Sequence, residues 1–517
     1  MITLRLRNLW QVAVVLAAGL ALLDEAWPQQ PGVENRRPPF TVAKETTQIT
    51  EPLRADGYPD YSAAIERILS EGVKPESNAA LAIFRIVGPR CVTRELRPQL
   101  AKKLGEDPFA ASEKGFVDHG TFRRRLEKDN AAQAAQFERQ RARALIAPWN
   151  DGEFPAVARW LQENDGSLDE LRGAIKRPHF FAPYLQTSDD QAVFLGSTTF
   201  DEYFRDLAEC LAIRGMRNVP AAVEQAMADS LLLHQLALCI SRGKQPRSYY
   251  LAATCERLAN QLDAAIAHQG KLTAAQAKGH AASLAKLPAI QLQPEAILIE
   301  RLVLLDLLAY VMKTQARGLR ELGQKIDTEP SLSMSAILRL RINVDPAFHS
   351  VQRMYDRFEA AGKIAPRKAQ FLELKKIEEE FQAWRAEGLA GVGNAANPEE
   401  EQRAAAQLLG RMLAHQVHAD YATHRFSEKL QEQTHRDFAQ IALAMAAFRA
   451  ERGTYPAALT ELAPKFLPQL PPAPFSGESY RLAAKPTGYV LFMDRVNKED
   501  GSGQSEPAAL NLQLEVK

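Results

Sequence analysis

The chain has 517 residues, 46% hydrophobic and 25% charged, with 64 Lys and Arg against 63 Asp and Glu for a formal net charge of +1. That composition is globular, with length enough for a sizeable core. The charge balance argues against a nucleic-acid binder, which needs a basic excess to neutralise phosphates, and four cysteines in so long a chain exclude a disulfide scaffold.

In chain order, Arg5 and Arg7 precede an apolar run from Leu9 to Leu23, interrupted only by Gln11. As a helix the run is roughly 22 Å long, whereas a bilayer core is roughly 30 Å thick. It fits the apolar region of a signal peptide, and its basic flank follows the positive-inside rule. Gly19-Leu20-Ala21 is the one small-x-small candidate for cleavage, and two leucines follow it. Residues 1-26 therefore read first as an uncleaved signal anchor and second as a cleaved signal peptide. Both readings place the rest of the chain in the periplasm or another extracytoplasmic space, the first with an anchor in the inner membrane. Pro28, Pro31, Pro38 and Pro39 then mark a Pro-rich tether and extended entry segment over residues 27-59.

Residues 60-433 read as one large multi-helix body, rich in Ala, Leu, Glu, Arg, Gln and Lys, with Gly and Pro mainly between periodic segments. Asp60 caps a helix to Ser70. Pro75-Glu76 opens the next, and Gly88-Pro89 stops it. Gly120 to Ala147 is expected to be one long arginine-bearing helix. Ala221 to Ile240 is leucine-rich. Ile297 to Met312 is apolar on nearly all sides apart from Glu300, Arg301 and Asp306, the pattern of a central helix. Arg367 to Glu387 is charged with a narrow apolar stripe, as on a surface helix.

The pattern changes over residues 434-517. Phe438, Ile441, Ala442, Met445 and Phe448 share one helical face, and Gly453 caps that helix. A proline-dense stretch follows, with a helical turn at Leu459 to Leu462. Ser479 to Ala483 and Tyr489 to Asp494 are strand candidates joined by Pro486-Thr487-Gly488. The fold class is therefore mainly α, with a small C-terminal α+β module.

The run Gly453-Thr454-Tyr455-Pro456, with Leu459, Leu462, Pro464, Leu467, Pro474-Phe475-Ser476-Gly477, Tyr480, Gly488-Tyr489 and Asp500-Gly501, resembles the globular part of type II secretion pseudopilins. That resemblance covers about the final 80 residues. It implies a helix leading into a short antiparallel sheet, with a calcium ion often held by the last loop. Roughly 400 residues separate the apolar N-terminus from the module, so polymerisation in the manner of a pilin is not expected. A second resemblance spans most of the chain. Thr46 to Leu53, Asp56 to Tyr61, Gly72 to Ala79, Arg177 to Phe181, Leu272 to Ala277, and Glu300-Arg301 with Asp306 are similar to a large set of planctomycete envelope proteins. It implies a long helical body behind a membrane or signal segment, and it brings no activity with it.

Candidate chemistry is sparse. Asp494, Asn497, Glu499 and Asp500 supply oxygen ligands of the kind calcium takes, so calcium is the one cofactor considered. Against it, Ala473 stands where the pseudopilin-like pattern usually has Asp. His415 and His418 lie three apart on one helical face, a spacing that can chelate a transition metal, with His424 pointing elsewhere and His435 further along. His435-Arg436-Asp437 imitates a kinase catalytic loop but lacks its Asn. Gly391 to Ala396 imitates a dinucleotide fingerprint but follows a helix. Cys91, Cys210, Cys239 and Cys255 read as small buried hydrophobes, with a Cys239–Cys255 disulfide as the alternative in an exported chain. The arginine clusters at residues 123–125 and at 139, 141 and 143 read as a solvated face, or else as a site for an anionic envelope polymer or lipid.

These features lead to a non-enzymatic, membrane-tethered helical binding or scaffold protein of the cell envelope. Its partner would be an envelope protein or polymer and not nucleic acid. The alternatives are an exported hydrolase-type enzyme with its site in the helical body, and a secretion-system accessory component.

Overall fold

The computed structural model describes residues 37–111, 115–197, 199–269, 271–326, 343–393, 397–418, 421–485, 488–492 and 513–516. The apolar N-terminal segment and the calcium candidates Asp494, Asn497, Glu499 and Asp500 lie outside them. So do the side chains of His415, His418 and His424. Among the described residues the chain forms seventeen helices and one three-stranded sheet. No helix there is long and apolar enough to cross a membrane.

The helices start and stop where local chemistry supplies caps. The Asp60 carboxylate accepts from Ala63 N at 3.0 Å and opens Tyr61–Ser70. Asn78 opens Ala79–Val87 by accepting from Ala80 N, and its amide exchanges hydrogen bonds with the Phe181 backbone at 2.9 Å. Gly88, at φ 77°, ends that helix in a conformation that a side chain would strain. The expected single helix from Gly120 to Ala147 is two, His119–Asp129 and Ala131–Ile146. Asn130 adopts an extended backbone between them and caps the second through Ala132 N and Gln133 N. Its short side chain competes for backbone donors, and a turn follows where helix propensity alone favours continuity.

Pro155–Ala174, Thr199–Asn218, Val223–Ile240, Pro246–Gln269 and Ala274–Ala285 build the middle of the body. We label the last three α9, α10 and α11, counting helices in chain order. Glu295–Thr314, α12, is the central helix, with Ile299, Leu302, Leu304, Leu305, Leu307, Leu308 and Val311 all buried. Two of its buried charges find partners within the fold. Arg301 reaches Asp356 at 2.8 Å and Glu359 at 3.1 Å, and Asp306 accepts from Val193 N at 2.7 Å. Burial pushes the Asp306 carboxyl up to about 6, against the opposing effects of the Val193 N–H and the nearby Arg54.

Asp345–Gly362 (α14), Arg367–Gly393 (α15) and Pro398–His418 (α16) follow. Gly410 on α16 crosses α14 where a Cβ would lie 2.5 Å from the Ala347 carbonyl oxygen. Only glycine permits that approach. The entry segment is docked from residue 37 onward. Phe40 packs between Tyr58 and Phe348, Thr41 donates twice to Asp345, and the Tyr61 hydroxyl donates to Thr47 O.

Tyr421–Arg452, α17, is the longest helix among the described residues and runs unbroken through residues 433 and 434. Its C-terminal part packs on α10 and α11, with Phe438, Ile441, Ala442 and Met445 buried in the common core. Gly453, at φ 80°, ends it. After the turn at Leu459–Leu462, strands Arg481–Lys485 (β1) and Gly488–Phe492 (β2) pair antiparallel, and Gln513–Val516 (β3) adds to β2. Tyr489 stacks edge-on against Tyr455, and the Tyr480 hydroxyl donates to Asp437 at 2.6 Å. The sheet is thereby tied to the helix.

Gly410→Val should lower the urea-unfolding midpoint by an amount equivalent to about 1–3 kcal/mol, as expected for overpacking a close helix contact. An unchanged midpoint would show that the α14–α16 crossing does not need glycine.

Candidate functional site

The densest convergence of chemical groups among the described residues lies inside the body, where α9, α10, α11 and α17 meet. Ser230 and His234 are one turn apart on α9. Glu256, Asn260 and Asp263 fall at i, i+4 and i+7 on α10 and so share a face. His280 comes from α11, and Glu432, Arg436 and Gln440 lie one and two turns apart on α17.

Asp263 is the centre, with no exposed surface. Its Oδ2 accepts from His234 Nε2 at 2.9 Å. Its Oδ1 accepts from His280 Nε2 at 2.7 Å and from the Ser230 hydroxyl. The other His234 nitrogen, Nδ1, meets Glu256 Oε2 at 2.9 Å. A ring held at both nitrogens by carboxylates must donate from both, so His234 is an imidazolium. Burial alone would lower its pKa. The charge of Glu256 and the hydrogen bonds to Asp263 and Glu256 outweigh burial and hold it up at about 10. Burial likewise opposes ionisation of Asp263, but hydrogen bonds from His234 and His280 keep its carboxyl well below the usual range.

Beside this network, His234, Asn260, Arg436 and Gln440 line a cavity of about 10 Å³, room for a single water. Asn260 Nδ2 and Arg436 Nη1 have no hydrogen-bond partner among the described residues, and Arg436 Nη2 donates to Leu287 O.

The chemistry is ionic and structural in form. Ser230 donates to the aspartate and not to a histidine, so the order required to activate a hydroxyl nucleophile is missing here. Among the described residues no cluster of His, Cys, Asp or Glu has the arrangement of a metal site. Taking several charges out of water is costly, and breaking one partner of such a set leaves an uncompensated charge.

The residues singled out from sequence go elsewhere. His435, Arg436 and Asp437 sit mid-helix on α17 and diverge. His435 has its pKa lowered by burial and by Arg257, Arg436 lines the cavity, and Asp437 accepts from Tyr480 and Gln433. Gly391 and Gly393 lie within the helix Arg367–Gly393, with no preceding strand. All four cysteines are buried free thiols, and burial pushes Cys91 and Cys239 up to about 12. No Cys239–Cys255 disulfide forms. The arginine clusters are partly neutralised in place: Arg123 pairs with Glu127, Arg125 with Glu163, and Arg141 with Glu138 and Glu209. The sequence reading missed His234, Asp263 and His280. The available signal was the polar i, i+4, i+7 stripe on α10 and a histidine inside the leucine run of α9.

Comparison of the chain with protein-family models, with curated proteins and with solved structures finds no match.

Asp263→Asn should destabilise the protein by about 3–5 kcal/mol, the cost of leaving a buried partner charge uncompensated. The pH dependence has a defined sign. His234 has a raised folded-state pKa, so its contribution is full below the unfolded value near 6.5 and is lost as pH rises through about 10. Stability from pH 7 to 10 should therefore fall more steeply in the wild type than in His234→Asn. Parallel curves would contradict the imidazolium assignment.

Proposed function

We propose that this chain is an exported helical scaffold or binding protein of the cell envelope, tethered to the inner membrane by its N-terminal segment. The observation that carries the reading is how the convergent charged groups of the body are used. His234, Glu256, Asp263 and His280 bind one another across three helices, beside space for a single water, whereas small-molecule sites typically enclose about 300–1,000 Å³. Groups arranged in this way hold helices in register and present a rigid outer surface.

Export rests on the basic flank and apolar run of residues 1-26 and on the likeness to planctomycete envelope proteins. In this reading the pseudopilin-like module docks a partner through its proline-rich turn and sheet, since the apolar face of its helix is covered by α10 and α11. The partner is an envelope protein or polymer. A role as a secretion-system accessory would use the same face. The rival reading, an exported hydrolase, draws on the same convergence of two histidines and two carboxylates, and it requires a route by which a substrate reaches Asp263.

The test is a phosphatase fusion at Lys517 together with crosslinking of intact cells. Phosphatase activity that depends on residues 1-26, with the chain in the membrane fraction and crosslinked to an envelope component, is the expected result. An inactive fusion, or a chain that yields no adduct, would count against the proposal.

A further inference from the structure

Glu432 is a buried carboxylate that the network does not satisfy. It sits on α17, 7% exposed, and its Oε1 has no hydrogen-bond partner among the described residues. From α10 the charge of another buried carboxylate, Glu256, already committed to His234, acts on it. Glu256, Asp263 and Glu432 thus bring three carboxylates to one core, with His234, His280 and Arg436 beside them. Arg436 uses one of its terminal nitrogens on the Leu287 carbonyl.

Among the described residues, none of the surrounding charged groups donates a hydrogen bond to Glu432 Oε1. On α17 itself, Lys429 is exposed and Asp437 adds another carboxylate, engaged by Tyr480 and Gln433. From α10, Arg257 is exposed and acts on His435. From α11, His280 is bonded to Asp263. From α15, Arg367 acts on Lys429. The carboxylate without a donor is where a neutralising proton is least costly.

We propose that Glu432 is a proton-controlled latch between the C-terminal helix and the body: protonated, it lets α17 close on α10, and ionised, it loosens that contact. The helix carries the sheet through Asp437 and Tyr480, so the latch also governs how firmly the C-terminal module is held. The electrostatics agree. Burial and then the charge of Glu256 push the Glu432 carboxyl up to about 7, against the opposing pull of Arg436 and Lys429. The sign follows from the raised folded-state value. The stabilisation is full below the unfolded value near 4.5 and is lost as pH rises through about 7.

The experiment is hydrogen exchange of the full chain across pH 4.5 to 8.5, corrected for intrinsic exchange, in the wild type and in Glu432→Gln. Protection of the amides of residues 428–440 should fall up to about tenfold per pH unit between pH 5 and 7 in the wild type and level off above that. Glu432→Gln should lack this slope. A second measurement needs the variant only as a subtraction. Infrared spectra of the wild type should show a protonated carboxyl band that disappears between pH 6 and 8 and is missing from Glu432→Gln. A slope shared by both proteins, or no Glu432-dependent band, would overturn the proposal.

Discussion

A carboxylate with no exposed surface at the meeting of three helices is the constraint on which the middle of this protein depends. Asp263 is ionised only because His234, His280 and Ser230 supply donors to both its oxygens. Those donors come from α9 and α11, so the ion ties three consecutive helices together. A hydrophobic core of the same volume tolerates a slipped turn at modest cost. A buried carboxylate does not, because sliding α9 by one turn would strand both Asp263 and Glu256 without His234. The network thus acts as a register device, the best-attested use of buried polar groups in helical assemblies.

The same reasoning explains why α17 belongs to the body although its C-terminal end leads into the sheet. Its apolar face fills the groove between α10 and α11, and its polar stripe of Glu432, Arg436 and Gln440 extends the charged core. Lys278 of α11 pairs with Glu451 at 2.6 Å near the end of that helix, and Asp437 with Tyr480 carries the connection into the sheet. In the proposed scaffold role this continuity would transmit a load or partner at the C-terminal face to the core through one uninterrupted helix. At the other end, Phe40, Thr41 and Thr47 fasten the entry segment to α14 and to the first long helix, so a tether attached before residue 37 would pull on packed structure.

Much of this architecture was legible in local chemistry. The Asp60 cap, the Gly453 stop, the apolar Glu295–Thr314 helix and the β1–β2 hairpin each follow from a pattern a few residues wide. The break at Asn130 was not, because mid-helix asparagine is compatible with both outcomes until the flanking helices are packed. The third strand has only four residues, too few to carry a pattern. The charged core was hidden for a different reason. Its members lie 17 to 33 residues apart along α9–α11, and their meaning depends on which helices face each other. The i, i+4, i+7 polar stripe of Glu256, Asn260 and Asp263 showed that one face of α10 was unusual, but not that His234 and His280 stood opposite. The short motifs that caught attention, such as His435-Arg436-Asp437, lost their meaning once placed mid-helix with the side chains diverging.

The most direct measurement of the central claim is a double-mutant cycle on stability with His234→Asn and Asp263→Asn. If Asp263 holds α9 against α10 through His234, the two substitutions are strongly non-additive, with a coupling of about 1–3 kcal/mol, as for residues in one buried network. Additive effects would mean that the helices are held in register by their apolar faces alone, and the ionic core would lose its organising role.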